Sequence, residues 1–186
     1  MRALAALLVL CASSCELFQP PAATPPSPWA ELEAAQFGGL RNVSKCGAVW
    51  FGGGITGPDV ELAYRRGVRN ILDLGFPDEE PDFDLGRACF EHGIDLYDLG
   101  LLGAEALTDR NADEALDLFR DEDHHPLLVV CGTGSNSATF FALWRALDHQ
   151  MPLEDAVEEA RRAGMRPGPL EAFIRAQHER ISRAES

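Results

Sequence analysis

The chain has 186 residues, 46% of them hydrophobic, with 16 Lys and Arg against 30 Asp and Glu and a formal net charge of -14. That length supports one domain with a full apolar core. A field of that sign repels nucleic acid and anionic lipid headgroups, which excludes binding through a broad basic patch, so any anion site must be a local exception.

The first residues read as targeting rather than fold. "MRALAALLVLCASSC" carries one arginine, an apolar stretch from Leu4 to Ala12, and small residues before Cys15. That is the form of a signal peptide, and the apolar stretch is too short to span a bilayer. The "ASSC" segment resembles a bacterial lipobox, which implies that residues 1–15 are a lipoprotein signal and that Cys15 becomes the lipidated first residue. The mature protein is then exported and held by acyl chains at the cell envelope, on the periplasmic side. An ordinary cleaved secretion signal is the alternative. Residues 16–28 follow as a linker, with five prolines in "QPPAATPPSP" making an extended, semi-rigid spacer. The domain occupies 29–186.

Within it, "SPWAELEAAQFGG" reads as a short amphipathic helix capped by Ser27, and "KCGAVWFGG" as a strand followed by a glycine turn. "GPDVELAYRRG" is a helix stopped at Gly67, and "VRNILDLG" is a strand. "DFDLGRACFEHG" is a helix closed by Gly93, and "IDLYDLGL" is a strand. "LTDRNADEALDLFRDE" is a helix with Thr108 as its N-cap. "HPLLVVC" is a continuous apolar strand of the kind buried on both faces of a parallel sheet. "SATFFALWRALDHQ", "PLEDAVEEARRAG" and "GPLEAFIRAQHERI" complete the chain as helices. The alternation predicts an α/β fold with a mainly parallel central sheet flanked by helices.

The chemistry concentrates in "CGTGSNS". Cys131 ends a strand at the carboxyl side of a parallel sheet, where such folds bind ligands. Gly132 and Gly134 allow backbone N–H groups to turn inward as an anion-binding nest, and the next helix aims its N-terminus at the same spot. Thr133, Ser135, Asn136 and Ser137 add polar side chains, so Gly132 to Ser137 are the candidate anion-binding residues. Of five cysteines, Cys11 lies in the signal segment. If Cys15 is lipidated, an odd number remains, and a Cys46–Cys89 disulfide with Cys131 left over is the pairing expected in an oxidising compartment.

"VWFGGGITGPDVELAYRRGVRNILDLG", "GIDLYDLGLLGAEALTD" and "HPLLVVCGTGSNSA" together resemble the cysteine-dependent dual-specificity phosphatases, nearest the small bacterial branch found beside β-lactamase-like hydrolases. The similarity runs from about Val43 to Met165. It implies a phosphatase-like fold and a reaction in which a thiolate attacks a phosphoester, with Cys131 in the nucleophile's place. The departures bear on activity. The family places an arginine at the sixth position after the cysteine, and the bacterial branch at the fifth; these are Ser137 and Asn136. A guanidinium forks two phosphoryl oxygens and neutralises charge, whereas asparagine offers one neutral NH₂. Val130 stands where a histidine is common, and Gly75 where an arginine is frequent. For the general acid, Glu105 is the nearest loop carboxylate, and Asp98 is a second candidate in a strand that reads as buried. Asp109, in the first turn after Thr108, reads as helix capping.

His124 and His125 read as a solvated turn, and no Cys or His spacing supports a metal site. "FGGGITG" lacks the lysine of a nucleotide loop, so no cofactor is implied. The reading is therefore a phosphatase-like lipoprotein that is weak or inactive without its arginine, with a phosphorylated or other anionic ligand, a membrane contact through the N-terminal lipid, no nucleic acid, and no identifiable protein partner. The alternatives are a pseudophosphatase that binds an anion or partner, and a rhodanese-like sulfurtransferase, whose loop has the same Cys131, Gly134 and Ser137 spacing.

Overall fold

The computed structural model describes residues 31–75, 83–99 and 107–184. Among these described residues six strands, β1 (Glu33–Ala34), β2 (Arg41–Cys46), β3 (Val49–Gly53), β4 (Asn70–Asp73), β5 (Asp95–Asp98) and β6 (Leu127–Cys131), form one sheet in the order β1-β2-β3-β6-β4-β5. β3, β6, β4 and β5 run parallel, while β1 and β2 add an antiparallel edge. The helices are α1 (Gly57–Arg65), α2 (Leu85–His92), α3 (Asp109–Arg120), α4 (Ser135–Leu147), α5 (Leu153–Arg162) and α6 (Pro169–Ala184). The fold is α/β with a mainly parallel sheet, as the alternation of elements predicts.

The central strand β6 is buried along its whole length, and its side chains alternate between two apolar layers. Leu127, Val129 and Cys131 face Phe51, Phe119, Phe141 and Trp144 under α3 to α6. Leu128 and Val130 face Val60, Ala63, Leu85 and Cys89 under α1 and α2. Phe51 stacks on Phe141 at 4.2 Å between ring centroids, which fastens β3 to α4. α4 is covered almost all round, against β3 and β6 on one side and α3, α5 and α6 on the other. Its first turn, and therefore the cysteine loop, is fixed by the most deeply packed part of the molecule.

The expected helix over 27–39 is not present in its described part. Glu33 and Ala34 pair antiparallel with Lys45 and Ser44 instead, and Ala35 N–H donates to Val43 O at 3.0 Å. The open edge of β2 offers backbone partners that a two-turn helix lacks, and Phe37 gains full burial against Trp50 at 5.3 Å. "KCGAVWFGG" is a hairpin rather than one strand: Cys46 pairs with Val49 across a turn in which Gly47 takes φ 57°.

Cys46 and Cys89 form no disulfide. Cys46 belongs to the layer under α4 and Cys89 to the layer under α1 and α2, so the sheet stands between them. Asp98 is likewise corrected: it ends an edge strand and is exposed, not buried.

Candidate functional site

Cys131 closes β6 with 4% of its surface exposed. Both neighbouring strands feed the turn that follows. Gly54 N–H donates to Cys131 O at 2.8 Å from β3, and Leu74 N–H donates to Val130 O at 2.8 Å from β4. The chain then reverses through Gly134 at φ 91°, a left-handed value that favours glycine, and enters α4. Gly134 N–H donates to Cys131 Sγ at 3.1 Å. The turn lies so close to β3 that a Cβ on Gly53 would stand 2.1 Å from Gly134 N. Gly53 is therefore what lets the loop sit down on the sheet.

Three of the loop's polar side chains bond to backbone rather than to the sulfur. Asn136, 4% exposed, donates its Nδ2 to Leu74 O at 2.8 Å. Ser137, fully buried, donates its hydroxyl to Gly52 O at 3.1 Å. Ser135 Oγ accepts from Arg166 N–H at 2.8 Å. All three tie α4 to surrounding backbone, and the group that donates to the sulfur is a main-chain amide.

Two residues that sequence reasoning missed hold the loop from outside. Arg41 Nη2 donates to Gly132 O at 2.7 Å, and Asn42 Nδ2 donates to Thr133 O at 2.9 Å. Both lie at the start of β2, where the pairing with β3 shifts register and Asn42 takes φ 51°. Asparagine is among the few residues that adopt this left-handed geometry readily. The segment before them is anchored by Asp59, 2% exposed, whose carboxylate accepts from Gly39 N–H at 2.7 Å and Thr56 N–H at 2.9 Å. Several surface arginines pair with acids, as Arg161 does with Glu171 and Arg180 with Asp113. Arg41 and Arg166, the two beside the loop, take no carboxylate partner among the described residues.

The candidate acids stand differently. Asp98 aligns with Asp73, which aligns with Val130 in β6, so it lies two strands away, about 10 Å along the sheet. The structure does not bring it to the sulfur. Glu105 and Cys15 lie outside the described residues. Asp109 accepts from Gln177 Nε2 at 2.7 Å, tying α3 to α6. Burial pushes the Cys46 thiol up, opposed by the nearby Arg145 charge, and pushes the Cys89 thiol to about 11, with Asp73 adding to the rise. Both are protonated at neutral pH and serve as packing groups.

No family model and no curated protein sequence matches the chain. Solved structures do. A cysteine-to-serine variant of TpbA from P. aeruginosa, in complex with pTyr, superposes with a TM-score of 0.65 at 18% identity, covering 88% of this chain and 100% of that one. PTPMT1 gives 0.60 at 17% identity over 78% of this chain and 97% of its own. The core catalytic domain of the S. cerevisiae PP-IP phosphatase SIW14, in complex with citrate, gives 0.59 at 21% identity over 78% and 93%. This chain has the fold of the cysteine-based tyrosine and dual-specificity phosphatases.

Proposed function

We propose that the protein is an envelope lipoprotein whose Cys131 loop binds the phosphoryl group of a phosphorylated ligand and hydrolyses it only slowly. One observation carries the reading: a strand–loop–helix turn of phosphatase form in which the Gly134 amide points at the Cys131 sulfur at 3.1 Å. Similar folds hold pTyr and citrate, both anionic, which supports an anionic ligand here. The helix terminus and loop amides favour negative charge at this point despite the acidic surface. The lipid anchor through Cys15 and the spacer over 16–28 rest on the sequence and place the domain near a membrane surface.

Slow turnover follows from what the loop lacks. Asn136 and Ser137, where relatives of this fold are expected to carry arginine, are buried and bonded to Leu74 O and Gly52 O. Neither side chain is available to take over the transition-state charge. Losing even a neutral oxyanion donor costs ~10²–10³ in rate, and losing a charged bidentate one costs at least that.

Aryl phosphate hydrolysis by the wild-type protein and Cys131→Ser, under reductant and beside an arginine-bearing phosphatase, tests this. The expected result is turnover at least ~10² below the comparator and abolished by the serine. Turnover matching the comparator, or persisting in Cys131→Ser, contradicts the reading.

A further inference from the structure

We propose that Arg41 and Asn42 of β2 are positioning residues for the cysteine loop, aiming its peptide N–H groups at the bound anion, and that Arg41 supplies from outside the positive charge missing within the loop. The proposal rests on anion binding at Cys131 and adds the residues that prepare the site for it.

In a trans peptide unit the carbonyl of one residue and the N–H of the next point in opposite directions. Asn42 Nδ2 donates to Thr133 O at 2.9 Å, and the N–H of that same unit, on Gly134, donates to Cys131 Sγ at 3.1 Å. Holding the carbonyl on the β2 side therefore aims the amide at the sulfur. Arg41 Nη2 does the same one unit earlier, donating to Gly132 O at 2.7 Å, which turns the Thr133 N–H away from β2. A guanidinium on the carbonyl side also polarises the unit, leaving its N–H more positive for an anion on the far side.

The seat for this pair is built. Asn42 is held at φ 51° beside the register shift in β2. The Arg41 guanidinium lies against Gly54, where a Cβ would come 2.9 Å from both Nε and Nη2. Gly164 stands equally close to Asn42, where a Cβ would meet its side chain at 3.1 Å. Arg41 is exposed and takes no carboxylate among the described residues, so its charge is left uncompensated next to the loop.

Calorimetric titration of the purified protein with tungstate, an inert oxyanion of phosphate shape, tests the proposal in wild type, Arg41→Ala, Arg41→Lys and Asn42→Gly. Arg41→Ala is expected to weaken tungstate binding about tenfold or more, the size of one charge-assisted hydrogen bond, with a fall in unliganded melting temperature too small to account for it. Arg41→Lys restores part of the loss, because the charge stays while the planar fork is gone. Asn42→Gly keeps the left-handed backbone and is expected to weaken binding through the lost amide alone. Wild-type affinity in Arg41→Ala, or affinity falling only in step with melting temperature, overturns the positioning role. Failure of the wild type itself to bind tungstate overturns the binding reading beneath it, and that outcome is seen before any variant is measured.

Discussion

Asn136 stands in the loop that follows Cys131, yet its side chain does structural work. Its carboxamide, 4% exposed, bonds Leu74 O from the start of α4. Truncation leaves that buried carbonyl without its donor, which costs about 1–3 kcal/mol. Asn136→Ala is accordingly expected to lower the free energy of unfolding by that amount, measured by urea titration. A variant as stable as wild type would mean the amide is free for a ligand. The cysteine, the two glycines and the lack of any arginine within "CGTGSNS" could all be read directly, because each is a local feature of the chain. Arg41 and Asn42 could not, since each meets the loop across 91 residues of sequence. "RNV" carries no local signal of that contact beyond an asparagine able to turn left-handed.

At the scale of elements, the close seating of the loop on β3 yields a sharp expectation for Gly53. Its would-be Cβ collides with the backbone of Thr133 and Gly134, at 2.3 Å from a carbonyl carbon and 2.1 Å from a nitrogen. Backbone cannot rotate away as a side chain does, so Gly53→Ala is expected to cost about 1–3 kcal/mol and to abolish anion binding together. Full anion affinity in this variant would show that the loop is not held against the strand. The two layers of the core make a second expectation. Unfolding the unreduced protein should expose Cys46, Cys89 and Cys131 as three reactive thiols, because the sheet separates the first two. Finding one reactive thiol among these would contradict the layer assignment. Helices α1 to α6 and strands β3 to β6 were legible in the sequence because caps, glycine stops and apolar runs are local. The edge was not: whether residues 33–34 form helix or strand depends on the unpaired edge of β2, which pattern alone does not reveal.

Across the whole molecule, the acidic surface and a buried polar knot set the response to pH. Arg145, 1% exposed, forks Glu159 through Nε at 3.0 Å and Nη2 at 3.2 Å, and its Nη1 stands 3.2 Å from His149 Nδ1. Because the guanidinium can only donate, His149 Nδ1 accepts, which requires the neutral ring. Burial first, and then the Arg145 charge, hold the His149 pKa below its ordinary 6.5, against the smaller pull of Asp148 and Glu159. The unfolded chain thus binds a proton more readily than the folded one just below pH 6.5, so stability contributed here is present above that pH and lost as pH falls through and below it. His149→Gln is expected to flatten the stability profile on the acid side of pH 6.5, measured by urea unfolding across that range. An unchanged slope would place the acid sensitivity elsewhere. The proposed cradle at Cys131 binds its anion without efficient turnover. Its most direct test is calorimetric titration of Cys131→Ser, which keeps the loop and removes the nucleophile, with phosphotyrosine and with tyrosine. The account expects saturable binding of one phosphotyrosine per chain and none of tyrosine; equal heats for both, or none for either, would contradict it.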